Sequence, residues 1–218
     1  MHATSLPDRL WALVSEQVFT VPSAAGLFNP YADRVDGIDH PDAPAIRREN
    51  LRQYFASYRT APRVLLLAEA PGPWGCRFSG VPLVSESQLA DPAFPIDGTP
   101  TSLEEKPHTE YSANIYWRIL RPYFPAFFTW NTVPFHPYKA ERMLSIRNPT
   151  HREVMAFRDV VDGMVEILKP ERILAIGRKA EHVLQQLGLP CRYVRHPSQG
   201  GALLFEQGVR EAFAELGL

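Results

Sequence analysis

Three polar residues stand where short apolar runs stop, and their types are those that can do chemistry. Glu69 follows the run 63–68 (RVLLLA), Asn131 closes the run 127–131 (FFTWN), and His196 follows the run 191–195. A carboxylate at the end of a buried run must be solvated or hydrogen-bonded. It can orient a water or favour developing positive charge, and equally it can cap a helix or pair with an arginine. An asparagine amide offers one acceptor and two donors. That set suits the edge of a pyrimidine such as uracil, whose N3–H donates and whose O4 accepts. Cytosine reverses both groups and would leave polar atoms unpaired. The same asparagine could instead close a turn before Pro134. A histidine can hand a hydrogen bond to a leaving group as negative charge builds on it. At position 196 the following Pro197 restricts it to extended backbone. Its plainer alternative is a surface histidine.

The elements that must position these residues follow from periodicity. A helix is expected over residues 7–19, a long wrapped loop over 21–44, and a helix over 45–57 with Arg47, Arg48 and Arg52 on its polar side. The apolar run 63–68 reads as a buried parallel strand. Residues 74–107, rich in Gly, Pro and Ser, read as surface loop. A helix is expected over 111–120, a strand over 127–131, a proline-rich turn over 132–138 and an amphipathic helix over 150–168. Then come a strand at 172–176, a turn at Gly177 into a helix over 179–187, a strand at 191–195, and a C-terminal helix. Strands alternating with helices specify crossover connections. The fold class is therefore α/β, a three-layer α/β/α sandwich with a mainly parallel four-stranded central sheet. The expected organisation is one domain over 1–218, with residues 1–60 as a helical and loop extension packed on it. In such folds ligands bind beyond the strand C-termini, where Glu69, Asn131 and His196 all lie.

Composition narrows the classes. The 218 residues carry a net charge of −1 and a mean hydropathy of −0.20. No apolar run reaches the length of a bilayer crossing, and the N-terminal stretch lacks a signal-peptide core, so a cytoplasmic protein without membrane contact is expected. Charge is unevenly placed. Residues 113–152 hold six Lys/Arg against Glu141 alone, whereas residues 86–111 hold six acids against Lys106. One basic and one acidic face would result, as would a mixed surface if the two stretches interleave. Cys76 and Cys191 read as ordinary small apolar residues, too few for an iron–sulfur cluster. The histidines at 2, 40, 108, 136, 151, 182 and 196 show no metal-ligand spacing. Neither metal nor cofactor is expected. The chain lacks a GxxxxGK loop, a GxGxxG turn and a Gly-x-Ser-x-Gly elbow, which weakens the kinase, dehydrogenase and esterase classes.

Taken together, the strand ends resemble the uracil-DNA glycosylase superfamily. Ala68-Glu69-Ala70-Pro71-Gly72 is similar to the GEAPG motif of its thermostable branch. The continuation Pro73-Trp74-Gly75-Cys76-Arg77-Phe78-Ser79-Gly80-Val81-Pro82-Leu83 resembles the single-strand-selective monofunctional branch. Phe128-Thr129-Trp130-Asn131 matches the place of the base-reading asparagine, and Arg195-His196-Pro197-Ser198 the closing HPS motif. The resemblance implies that Asn131 reads the base, His196 stabilises the leaving anion and Glu69 places the hydrolytic water. It implies backbone and phosphate contacts from Ala70, Pro71, Gly72, Ser198 and Gln199, with Lys139 and Arg142 as further phosphate contacts.

Departures accompany the likeness. Ala70 stands where the most active branches place Asp or Asn, which argues against high turnover. Leu83 stands where an aromatic residue usually stacks on the base, so Trp74 or Phe78 would substitute, or the pocket would take hypoxanthine or xanthine. The four cysteines of the thermostable branch are missing. The implied partner is DNA carrying a damaged base, flipped out of the stack and hydrolysed by a monomer. A binding protein that kept the fold without the chemistry, and an unrelated nucleoside hydrolase, remain as alternatives.

Overall fold

The computed structural model describes residues 4–218; His2 and the start of the N-terminal stretch lie outside the described residues. Helix α1 (Leu6–Gln17) begins at Ser5, whose hydroxyl accepts the Asp8 N–H, and buries Leu10 and Val14. The loop that follows contains a two-residue strand β1 (Leu27–Phe28) and leads into α2 (Ala43–Ala56). Strand β2 (Val64–Ala68), buried at every position, is followed by short helices α3 (Cys76–Ser79) and α4 (Glu86–Leu89), then α5 (Tyr111–Leu120). Strand β3 (Phe127–Asn131) precedes β4 (His136–Pro137), α6 (His151–Ala156) and α7 (Arg158–Leu168). The chain closes with β5 (Arg172–Ile176), α8 (Gly177–Gln186), β6 (Arg192–Val194) and α9 (Ala202–Ala214).

The main sheet is wholly parallel, in the order β3-β2-β5-β6, and a separate antiparallel pair joins β1 to β4. This is the three-layer α/β/α sandwich that the alternation of elements specifies. Side-chain alternation along β3 identifies the layers. Phe128 and Trp130 pack on Tyr54 and Phe55 of α2, while Phe127 meets Tyr116 of α5 and Phe213 of α9. One layer thus holds α5 and α9. The opposite layer holds α2 and α1, with α1 against α7. Thr129 is held from both sides: its hydroxyl bonds Tyr116 Oη at 2.5 Å and its N–H donates to Tyr54 Oη at 2.7 Å.

Three expectations change. Residues 75–86 are buried throughout rather than forming surface loop. Arg47, expected on the polar side of α2, is fully buried. The cause is common to both: Asp39 pairs with Arg47 at 2.5 Å and accepts both terminal nitrogens of Arg77. Polar residues enter the interior because they satisfy one another. Glu86 does likewise, accepting N–H groups of Thr101, Ser102 and His108 at 2.5, 2.8 and 3.1 Å. The third change is in the helix expected over 150–168, which breaks at Phe157 as the chain leaves helical backbone (φ −109°, ψ 13°) and seats that ring edge-on against Phe135.

Both guanidiniums around Asp39 are fully buried, and burial holds Arg47 down to about 10, still cationic at neutral pH. Asp39→Ala removes the one carboxylate that both buried guanidiniums bond directly. It is expected to lower the unfolding free energy by about 3–5 kcal/mol, read from the urea midpoint at constant slope. A loss under about 1 kcal/mol, the range of an exposed pair, would contradict this role.

Candidate active site at the carboxyl ends of the strands

The parallel ladder continues past β2 and β3. Thr132 N–H donates to Ala68 O at 2.8 Å, Val133 N–H to Glu69 O at 3.0 Å, and the Thr132 hydroxyl to Glu69 O at 2.8 Å. Ala68 and Asn131 are register partners, so Glu69 and Asn131 stand at neighbouring strand ends. Asn131 is nearly buried, and alternation turns it toward the α5 layer, like Phe127 and Thr129. Its Nδ2 lies 3.5 Å from Cys76 Sγ, a weak contact, and its side-chain oxygen accepts no hydrogen bond among the described residues.

Glu69 occupies the other side of β2. Its carboxylate is partly buried, 3.8 Å from Lys179 Nζ, and borders a cleft of about 390 Å³ lined also by Asn148, His151 and His182. Burial raises its pKa, and the Lys179 charge opposes that rise. Lys179 belongs to the first turn of α8, a helix that starts at Gly177 itself. His196 packs on that glycine: a Cβ there would meet His196 Cβ at 3.1 Å.

The state of His196 follows from its contacts. Ser198 N–H donates to Nδ1 at 3.2 Å and the Ser198 hydroxyl lies 2.8 Å from the same nitrogen. Nδ1 is therefore an acceptor, and the ring proton is assigned to Nε2. Burial first, then the charges of Arg195 and Lys179, hold the pKa down to about 4. At neutral pH the imidazole is uncharged and presents an Nε2–H. Gln199 follows in left-handed backbone (φ 52°), exposed, and a Cβ on Gly201 would collide with His196 O.

The remaining candidates fall in three places. Leu83 is nearly buried in left-handed backbone (φ 53°), its carbonyl held by Trp117 Nε1 at 3.0 Å. Phe78 is fully buried between the Arg77 guanidinium and the His108 ring, whereas Trp74 is exposed beside His108. Lys139 and Arg142 face each other in an exposed turn. That turn is tied to the loop after β2 by His136, whose ring nitrogens lie 2.8 Å from Pro71 O and 2.9 Å from Met143 O. Ala70 and Gly72 are half-buried beside Pro71.

Residues 55–212 match the Uracil DNA glycosylase superfamily. The chain belongs to that superfamily. Membership places it among hydrolases that act on deaminated-base lesions in DNA. Its fold is similar to the crystal structure of wild-type SMUG2 from Pedobacter heparinus, with a TM-score of 0.66, 14% identity, and 99% of each chain covered. No curated protein matches the sequence. Among the described residues no group of three or more His, Cys, Asp or Glu is placed to hold a metal ion, and no helix is long and apolar enough to cross a membrane.

Sequence reasoning passed over Lys179, although it sits in the turn after a strand, where the other candidates were sought. It also treated Cys76 as plain packing and left Glu110 among the surface acids.

Lys179 pushes two neighbours apart: it favours the carboxylate form of Glu69 and the neutral form of His196. Lys179→Met is expected to raise both pKa values, with His196 moving up from about 4 in an NMR titration of the histidine ring. An unmoved His196 would contradict this. The unfolded chain takes up the His196 proton near 6.5 and the folded one near 4, so this group withdraws stability as pH falls between those values.

Proposed function

We propose that the protein is a monofunctional DNA glycosylase that hydrolyses the N-glycosidic bond of uracil in DNA, the first step of base excision repair. The observation that carries this reading is the state of His196: a neutral ring with its proton on Nε2, at the same sheet edge as Glu69 and Asn131.

In the proposed reaction the glycosidic bond stretches first, leaving positive charge on the sugar and negative charge on the base. Asn131 holds the base through its lactam, accepting from N3–H and donating to O4. His196 Nε2–H donates to the base as it becomes an anion. A neutral donor suits this role, because it stabilises the anion without forming an ion pair in the resting site. Glu69, whose carboxylate form the Lys179 charge favours, would stabilise the sugar cation and orient the water that adds to C1′. The proton released by that water passes to the carboxylate, and the base leaves as its anion. The proposed reaction uses no lysine as nucleophile, Lys179 acting through its charge on Glu69 and His196, so strand cleavage is not part of it.

DNA would lie across the loops at this edge. Ala70, Pro71, Gly72, Ser198 and Gln199 supply backbone and hydroxyl contacts to phosphates, with Lys139 and Arg142 beside them. Leu203 and Leu204, 80% and 59% exposed in the first turn of α9, would fill the space an everted base leaves. A second reading keeps the chemistry and widens the base. Leu83, nearly buried, would give the pocket an aliphatic wall in place of an aromatic platform, and hypoxanthine and xanthine carry the same N–H beside C=O that Asn131 would read.

The test is alkali-dependent cleavage of single-stranded and G:U duplex oligonucleotides. Asn131→Ala and His196→Ala should each lower the rate by about 100-fold or more. Product formation that survives both substitutions would overturn the assigned roles. No product from uracil but product from hypoxanthine or xanthine would favour the wider base.

A further inference from the structure

Glu110 occupies the N-cap position of α5, yet its carboxylate makes no bond to that helix's N–H groups. It turns over the loop after β2 and accepts a hydrogen bond from the Ser112 hydroxyl. A Cβ on Gly72 would come within 2.9 Å of Glu110 Oε2, and one on Gly75 would collide with it. Gly72 of the first motif and Gly75 of its continuation thus leave room for this side chain. Cys76 follows Gly75, and the Glu110 charge adds to burial in pushing that thiol up. The Asn131 amide reaches the same sulfur at 3.5 Å. Alternation along β3 independently turns Asn131 toward the layer that α5 begins.

We infer that Glu110 is a specificity-determining residue that hydrogen-bonds the everted base beside Asn131, an inference that rests on the glycosylase reading above. The chemistry favours a neutral carboxyl in this place. Burial raises the Glu110 pKa, which only the Ser112 hydroxyl opposes. A protonated carboxyl donates to a carbonyl oxygen and continues to donate as the base becomes an anion, whereas a carboxylate would repel both. The bases that suit Asn131 and Glu110 together are those with a lactam: uracil, hypoxanthine and xanthine. An acid serving only to hold the glycine loop would not depend on the presence of a base.

The experiment compares wild type with Glu110→Ala, Glu110→Gln and Asn131→Ala on DNA containing each of the three bases. Beside it, affinity is measured for DNA carrying a stable abasic-site analogue. Glu110→Ala should lower kcat/KM about 10- to 100-fold on every base the wild type releases, with abasic-site affinity and Tm unchanged. Glu110→Gln keeps a donor and should recover most of the loss. If Glu110→Ala does not fold, Glu110→Asp, which withdraws the carboxyl by one methylene, should show the same selective loss. Unchanged excision, or a loss matched by weaker abasic-site binding, would overturn the inference. Excision abolished by Asn131→Ala but indifferent to Glu110 overturns it alone, whereas no excision of any base overturns the glycosylase reading with it.

Discussion

The carboxylate of Asp39, closed off from solvent between two equally buried guanidiniums, joins α2 to α3 and so determines where the loop after β2 runs. Separating such charges from water is costly unless each is paired and bonded. Here Arg47 also donates to the carbonyls of Phe78 and Pro30, and Arg77 stacks on Phe78. With α3 held there, residues 75–86 lie against the sheet and Cys76 comes beside Asn131. The floor of the candidate site joins this polar network to the apolar packing of Val81, Leu83 and Val84.

Around that floor the charges are arranged to separate the protonation states of neighbouring groups. Lys179 lies near both Glu69 and His196, lowering the pKa of each. One cation therefore favours the ionised form of an acid, against the rise that burial imposes, and adds to burial and Arg195 in favouring the neutral form of a base. The Ser198 N–H adds geometry to charge by fixing which imidazole nitrogen carries the proton. Burial raises the pKa of both carboxyls of the site; at Glu69 the Lys179 charge opposes that rise, and at Glu110 the Ser112 hydroxyl does.

Much of this was legible in the chain. The runs at 63–68, 127–131, 172–176 and 191–195 became β2, β3, β5 and β6, and Glu69, Asn131 and His196 lie at the carboxyl edge, because a parallel sheet buried on both faces leaves few other places for them. What stayed illegible depends on distant pairing. Arg47, Arg77 and Glu86 look like surface residues until Asp39, Thr101 and His108 reach them from elsewhere in the chain. Glu110 sits in an acidic stretch whose other members give no hint of it. Only the close approach of Gly72 and Gly75 sets it apart.

The central claim is hydrolysis of the bond between base and sugar, and isotope placement tests it most directly. Uracil-containing DNA would be treated with the protein in heavy-oxygen water, and both products weighed by mass spectrometry. The account predicts free uracil without label, and an intact strand whose abasic sugar carries one labelled oxygen, measured after trapping by reduction to prevent exchange. A strand that keeps its uracil, or one cleaved without alkali, would contradict it.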